Sequence, residues 1–131
     1  MVAQKKIILH IEDDARVAGA VATILRDQNY HVITAYSAEE GLRKVSRVKP
    51  DLVILDMAMP GMSGLTVLNK LRTQDGHTSV PILIYTAVPG MVDDGARATV
   101  DGMLIKPVEN DTLLAEIYRI LESHAEGAVS S

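Results

Sequence analysis

Five short runs of consecutive apolar residues, separated by stretches with helical spacing, constrain this chain more than any other feature. The runs are Ile7 to Ile11, His31 to Ala35, Leu52 to Leu55, Pro81 to Tyr85 and Met103 to Ile105. Apolar residues in succession, rich in Ile and Val, suit strands covered on both faces, as parallel sheets require. Between the first two runs, Ala15 to Gln28 places Val17, Val21, Ile24 and Leu25 on one helical face. Ser37 followed three residues later by Glu40 has the form of a capping box, and the helix it starts ends before Pro50. Leu65, Leu68 and Leu71 give a third helix over Leu65 to Arg72, and Asn110 precedes a last one over Asp111 to Ser123. The segment Val88 to Val100 carries Pro89, Gly90, Gly95 and few apolar anchors, which predicts a short, marginal helix. Strand then helix, five times over, specifies an α/β doubly wound parallel sheet.

At 131 residues the chain has the length of one domain, and folding at that size buries roughly two-thirds of the surface of the open chain. Residues 1–123 are read as that domain and 124–131 as a short polar tail expected to fray. An apolar share of 47% and a charged share of 23% are globular values and exclude a disordered or solvating acidic chain. Cysteine is absent, which removes disulfides, thiolate metal sites and a cysteine nucleophile. A net charge of -4 has the wrong sign for affinity built on nucleic-acid phosphates. No apolar run approaches the roughly 20 residues of a membrane helix, and Met1 to Lys6 is polar where a signal peptide would be apolar. A cytoplasmic protein without direct nucleic-acid or membrane partners is expected. Met1 fits a natural start, and the polar tail fits a stand-alone protein and a piece cut from a longer one equally well.

Ligands of open α/β sheets bind beyond the carboxyl ends of the strands. There the first run leads into Glu12-Asp13-Asp14, the third into Asp56, the fourth into Thr86 and the fifth into Lys106-Pro107. Each residue alone has an ordinary role in a cap, turn or solvated surface. Together, carboxylates on one edge repel one another unless a cation or lysine offsets them. An all-oxygen donor set points to Mg2+, with Mn2+ possible, in place of zinc. The four histidines, His10, His31, His77 and His124, form no local motif, and His10 reads as a packed or hydrogen-bonded core residue. Mg2+ beside an aspartate and a lysine suits phosphoryl transfer to the aspartate, here Asp56.

The segments Ile7 to Asp14, Asp51 to Gly64, Thr86-Ala87 and Lys106-Pro107 resemble the receiver domain of two-component response regulators, the chemotaxis-regulator-like domains of phosphorelays. The likeness covers about Lys5 to Glu122. It implies a flavodoxin-like (βα)5 fold with strand order 2-1-3-4-5. It also implies that Asp56 is the phosphoacceptor, Asp13 a direct Mg2+ ligand, Glu12 a ligand through water and the Ala58 carbonyl a further ligand. Thr86 would bond the phosphoryl group and Lys106 one of its oxygens. The donor would be a histidine kinase or phosphotransfer protein, and the output an unidentified protein target. Asp14 matches no functional position and reads as a helix-start residue. The resemblance, together with the small cost of cis at an X-Pro bond, predicts a cis Lys106-Pro107 peptide. An inward pull on Thr86 and Lys106 would be read through the segment after Thr86, the fifth strand and the last helix.

The chain departs from that pattern in places. Met103 stands where the family's switch aromatic is usual, Val108 follows Lys-Pro where Phe is common, and the chain has neither Phe nor Trp. The stretch from Thr86 to Lys106 is slightly short. Tyr85 is the nearest aromatic that could replace the switch ring, and its alternation with Thr86 assigns it to core packing. A flavodoxin-like nucleotide binder would need a small-residue phosphate loop where the three acids stand. An aspartate-nucleophile phosphatase would need a second Asp two residues after Asp56, where Ala58 stands, so turnover of outside substrates is not expected. A phosphorylation-independent interaction module on the same fold is the remaining alternative.

Overall fold

A computed structural model describes residues 4–73 and 79–130, so His77 lies outside the described residues. The elements run β1 (Ile7–Ile11), α1 (Ala15–Asp27), β2 (His31–Ala35), α2 (Ala38–Val48), β3 (Leu52–Leu55), α3 (Gly64–Thr73), β4 (Ile82–Thr86), a 3-10 turn (Pro89–Met91), α4 (Asp94–Arg97), β5 (Gly102–Ile105) and α5 (Asn110–Ser130). All neighbouring strands are parallel, in the order β2-β1-β3-β4-β5. The doubly wound sheet and its strand order are those expected.

Alternation along the central strands divides the core in two. Leu9, Ile11, Val53, Leu55, Ile82 and Ile84 face α2 and α3, where Val45, Val67, Leu68 and Leu71 meet them. Ile8, Ile54, Leu83 and Tyr85 face α1 and α5, meeting Leu25, Leu113, Ile117 and Ile120. Both faces are covered, which is why these strands read as unbroken apolar runs.

Polar side chains fix the helix starts. Ser37 Oγ accepts from the Glu40 N–H at 3.1 Å, and Glu40 returns the bond one residue early, to the Tyr36 N–H at 3.0 Å. Asp14 caps α1 by accepting from the Arg16 N–H at 2.9 Å. The segment between β4 and β5 holds only a single 3-10 turn and four helical residues, the marginal element its glycines and proline imply.

The last helix differs from expectation. It continues past Ser123 to Ser130, through residues that sequence reasoning leaves as a frayed tail. Ala125 and Glu126 favour helix, and His124 Nε2 is hydrogen-bonded to Asp101 Oδ1 at 2.9 Å. Asp101 also accepts from the Ile82 N–H at 2.8 Å and pairs with Arg72 at 3.6 Å, so β4, β5, α3 and α5 meet at one carboxylate.

His10 is wholly buried in β1, as a core residue should be, yet neither ring nitrogen has a hydrogen-bond partner among the described residues. Burial, reinforced by the nearby Lys106 charge and opposed by Asp56, lowers its pKa from 6.5 to about 4. An unfolded chain takes up a proton near pH 6.5 that the folded chain refuses until about pH 4, so the imidazole removes stability as pH falls through that window. With each tenfold change in proton affinity worth about 1.4 kcal/mol, the effect is on the order of 3 kcal/mol. In magnesium-free buffer, His10→Leu should therefore be more stable than wild type, by a margin that widens between pH 6.5 and 4 in urea titrations. A margin independent of pH would contradict a neutral buried imidazole.

Candidate functional site

The sheet reverses its winding between β1 and β3, so the loops after these two strands part and leave a crevice at their carboxyl ends. The strands end level, with Ile11 opposite Leu55. The ladder runs one residue further on each side, where Glu12 N–H donates to the Ala35 carbonyl at 2.9 Å and Asp56 N–H to the Ile11 carbonyl at 3.2 Å. Both acidic side chains are thereby delivered to the crevice by rigid backbone.

Glu12, Asp13 and Asp56 each place a carboxylate oxygen within 4.8 Å of the others. Glu12 is 1% exposed and Asp56 5%, while Asp13 lies open to solvent. Lys106 reaches in from the end of β5, held by its N–H on the Thr86 carbonyl at 2.9 Å. Its ammonium donates to Glu12 Oε1 and lies 3.4 Å from Asp56 Oδ2. The Lys106-Pro107 peptide is cis.

The electrostatics follow from burial and these contacts. Burial raises the Glu12 pKa, Asp56 adds to the rise, and the Lys106 hydrogen bond and Asp14 N–H oppose it. For Lys106, burial works against the ammonium, but the Glu12 hydrogen bond and the Asp56 charge outweigh it and the pKa is raised. One lysine thus faces three carboxylates, a site of net negative charge open on the Asp13 side.

The remaining residues singled out from sequence lie around this group. Ala58 is exposed, and its N–H donates to Asp56 Oδ1 at 3.3 Å, which orients the carboxylate. Thr86 is fully buried at the end of β4, and its hydroxyl accepts from the Val88 N–H at 3.2 Å, with no hydrogen bond to Asp56. Asp14 points away into its capping role.

Two residues contribute to the site in ways the sequence reading did not assign. Gly64 opens α3 directly against the acidic loop: a Cβ there would collide with the Asp56 carbonyl and lie 2.6 Å from Met57 Cα. Its N–H bonds the Met57 carbonyl at 3.1 Å, so only glycine lets α3 brace the backbone that carries Asp56. A glycine just before the apolar spacing of α3 is the signal that could have pointed to it. The second is Tyr85, whose ring centroid lies 5.6 Å from the Lys106 ammonium.

A cavity of about 590 Å³ lies at the opposite end of the sheet, between Lys6, Lys49 and His124. Its one lining carboxylate, Asp51, already accepts from the Ile7 N–H at 2.7 Å, so the convergent chemistry lies at the carboxyl edge.

The family model described as the response regulator receiver domain matches residues 8–118. The chain belongs to that family. The transcriptional regulatory protein AfsQ1 of Streptomyces coelicolor is 34% identical over 116 residues, covering 87% of this chain and 50% of AfsQ1. The cell cycle response regulator CtrA of Brucella ovis is 32% identical over 129 residues, covering 95% of this chain and 55% of CtrA. The receiver chain thus spans about half the length of these curated relatives. Among solved structures, the chemotaxis protein CheY4 of Vibrio cholerae superposes with a TM-score of 0.81 at 29% identity, covering 89% of this chain and 99% of that one. The response regulator TrrA of Thermotoga maritima, solved in complex with Mg(2+)-BeF, gives a TM-score of 0.80 at 30% identity, covering 88% and 98%. This receiver domain has no described helix long and apolar enough to cross a membrane.

Proposed function

We propose that this receiver domain accepts a phosphoryl group on Asp56 from the phosphohistidine of a histidine kinase or phosphotransfer protein, in a Mg2+-dependent reaction, and thereby switches binding to a downstream protein target. The observation that carries the reading is the meeting of three carboxylates within 4.8 Å with a single lysine at their edge. Such a cluster is costly without a cation, and its donors are all oxygen, which fits Mg2+ or Mn2+ and not zinc. Asp13, Asp56 and the Ala58 carbonyl would hold the ion, with Glu12 acting through water. When bound, Mg2+ supplies positive charge that offsets the carboxylates and the transferring phosphoryl oxygens.

The protein's own groups do the rest. An Asp56 carboxylate oxygen attacks phosphorus as the P–N bond of the phosphohistidine breaks. The electron pair of that bond stays on the ring nitrogen, which leaves as neutral imidazole when its other nitrogen carries a proton. Asp56 needs no base, being a carboxylate already, and the Ala58 N–H fixes its orientation. Lys106, with three donors and two carboxylates beside it, has one left for a phosphoryl oxygen. The position two residues after Asp56, Ala58, supplies no general acid, so the domain is a phosphoacceptor and not a turnover phosphatase.

Output follows from the same charge. A phosphoryl group adds about -2 and strong acceptor oxygens, drawing Lys106 and the Thr86 hydroxyl toward Asp56. Residues 88–100, with one 3-10 turn and a four-residue helix, are the least anchored segment beside Thr86 and the cheapest to rearrange. Met103 packs against the α2 and α3 side of the core with an unbranched, adaptable side chain, so coupling through it is softer than through a planar ring.

With acetyl phosphate and Mg2+, wild type should gain the mass of one phosphate and Asp56→Asn should gain none. Asp13→Ala should raise the Mg2+ concentration for half-maximal uptake by at least about tenfold, the low end for disturbing a metal's ligand shell. Uptake by Asp56→Asn at the wild-type rate would overturn the assignment. For output, hydrogen exchange with and without beryllofluoride should change chiefly across residues 88–100. Unchanged protection over 86–106, with changes confined to α1 and α2, would contradict it.

A further inference from the structure

We infer that Tyr85 is a positioning residue for Lys106: its ring supports the ammonium from the α5 side of the sheet and keeps it within reach of Asp56. The inference rests on the phosphoacceptor reading and extends it to a residue outside the acidic cluster. Lys106 ends a flexible four-carbon stem that loses considerable rotamer freedom when fixed. Its known anchors are acidic, and the direct hydrogen bond to Glu12 is closer than the 3.4 Å approach to Asp56. Charge alone therefore draws the ammonium toward Glu12, away from the group that is to be phosphorylated.

The ring supplies a neutral restraint on another side. Tyr85 is 7% exposed, the only buried aromatic among the described residues, and is locked among Leu83, Leu113 and Ile117. Its register opposite Leu104 carries it to the α5 face, while Met103 packs on the α2 and α3 face. Its centroid lies 5.6 Å from Lys106 Nζ, within the range over which a ring face attracts a cation. With the Lys106 side chain only 16% exposed, water competes weakly for that attraction.

The test uses the whole chain, acetyl phosphate as donor and variants Tyr85→Phe and Tyr85→Leu. Tyr85→Leu should lower the maximal rate of phosphate uptake roughly fivefold to tenfold, the loss of one partly desolvated cation–π contact. The Mg2+ dependence should be unchanged, and Tyr85→Phe should restore the rate. In a Lys106→Ala background, Tyr85→Leu should have no further effect. An equal rate in Tyr85→Leu and wild type, or the same loss in the Lys106→Ala background, would overturn the inference. A wild-type chain that takes up no phosphate contradicts the phosphoacceptor reading, and the inference is then decided by NMR. An upfield ring-current shift of the Lys106 ε-methylene protons, kept in Tyr85→Phe and lost in Tyr85→Leu, upholds it; an unshifted resonance in wild type overturns it.

Discussion

Mutual repulsion among Glu12, Asp13 and Asp56 is the constraint around which the rest of the structure is organised. Three carboxylate oxygens within 4.8 Å, two of them on buried side chains, cannot be held by flexible loops. They are held because β1 and β3 are parallel neighbours in level register, each covered on both faces by helices. The apolar energy of the sheet thus offsets the electrostatic cost of the crevice. Lys106, from a strand two places away across β4, balances part of the charge. The surplus negative charge that remains is what suits the site, on the proposed reading, to a hard cation and, through that cation, to a phosphoryl group.

Much of this was legible in the sequence because parallel strands buried on both faces leave a one-dimensional trace. Runs such as Leu52–Leu55 locate the strands, and the polar residues that follow them locate the edge where ligands bind. Asp56 and Lys106 were therefore placed at the same rim without knowledge of any distance. The approach of Lys106 to Asp56 was expected from the resemblance, while its direct hydrogen bond to Glu12 was not legible, since that contact spans 94 positions. Gly64 escaped notice because its role is the absence of a side chain beside the Asp56 carbonyl. His10 read as a packed or hydrogen-bonded core residue, and its surroundings decide for the first, burying it without a partner for either ring nitrogen among the described residues. The contact of His124 with Asp101 was not legible either, since it spans 23 positions.

On the proposed reading the chain keeps the residues that would receive a phosphoryl group and departs from the family pattern at those that would report it. Met103 leaves the α2 and α3 side of β5 without a ring, and the aromatic bulk sits instead on the opposite face, in Tyr85 beside Lys106. Tyr85 shares its buried cluster with Leu113 and Ile117 of α5. The segment between β4 and β5 has only four residues of α-helix and packs on the core through Ala96, Val88, Val92 and Val100.

The position of Lys106 is the most direct measure of the central claim, that one lysine and a bound cation together ready Asp56 for phosphoryl transfer. A crystal structure of the chain grown with Mg2+ and beryllofluoride would settle it. Beryllium bonded to an Asp56 oxygen, Mg2+ between Asp13 and Asp56, and the Lys106 ammonium moved from Glu12 onto a fluoride would uphold the claim. Beryllofluoride absent from Asp56 at saturating concentrations, with Lys106 still held on Glu12, would contradict it.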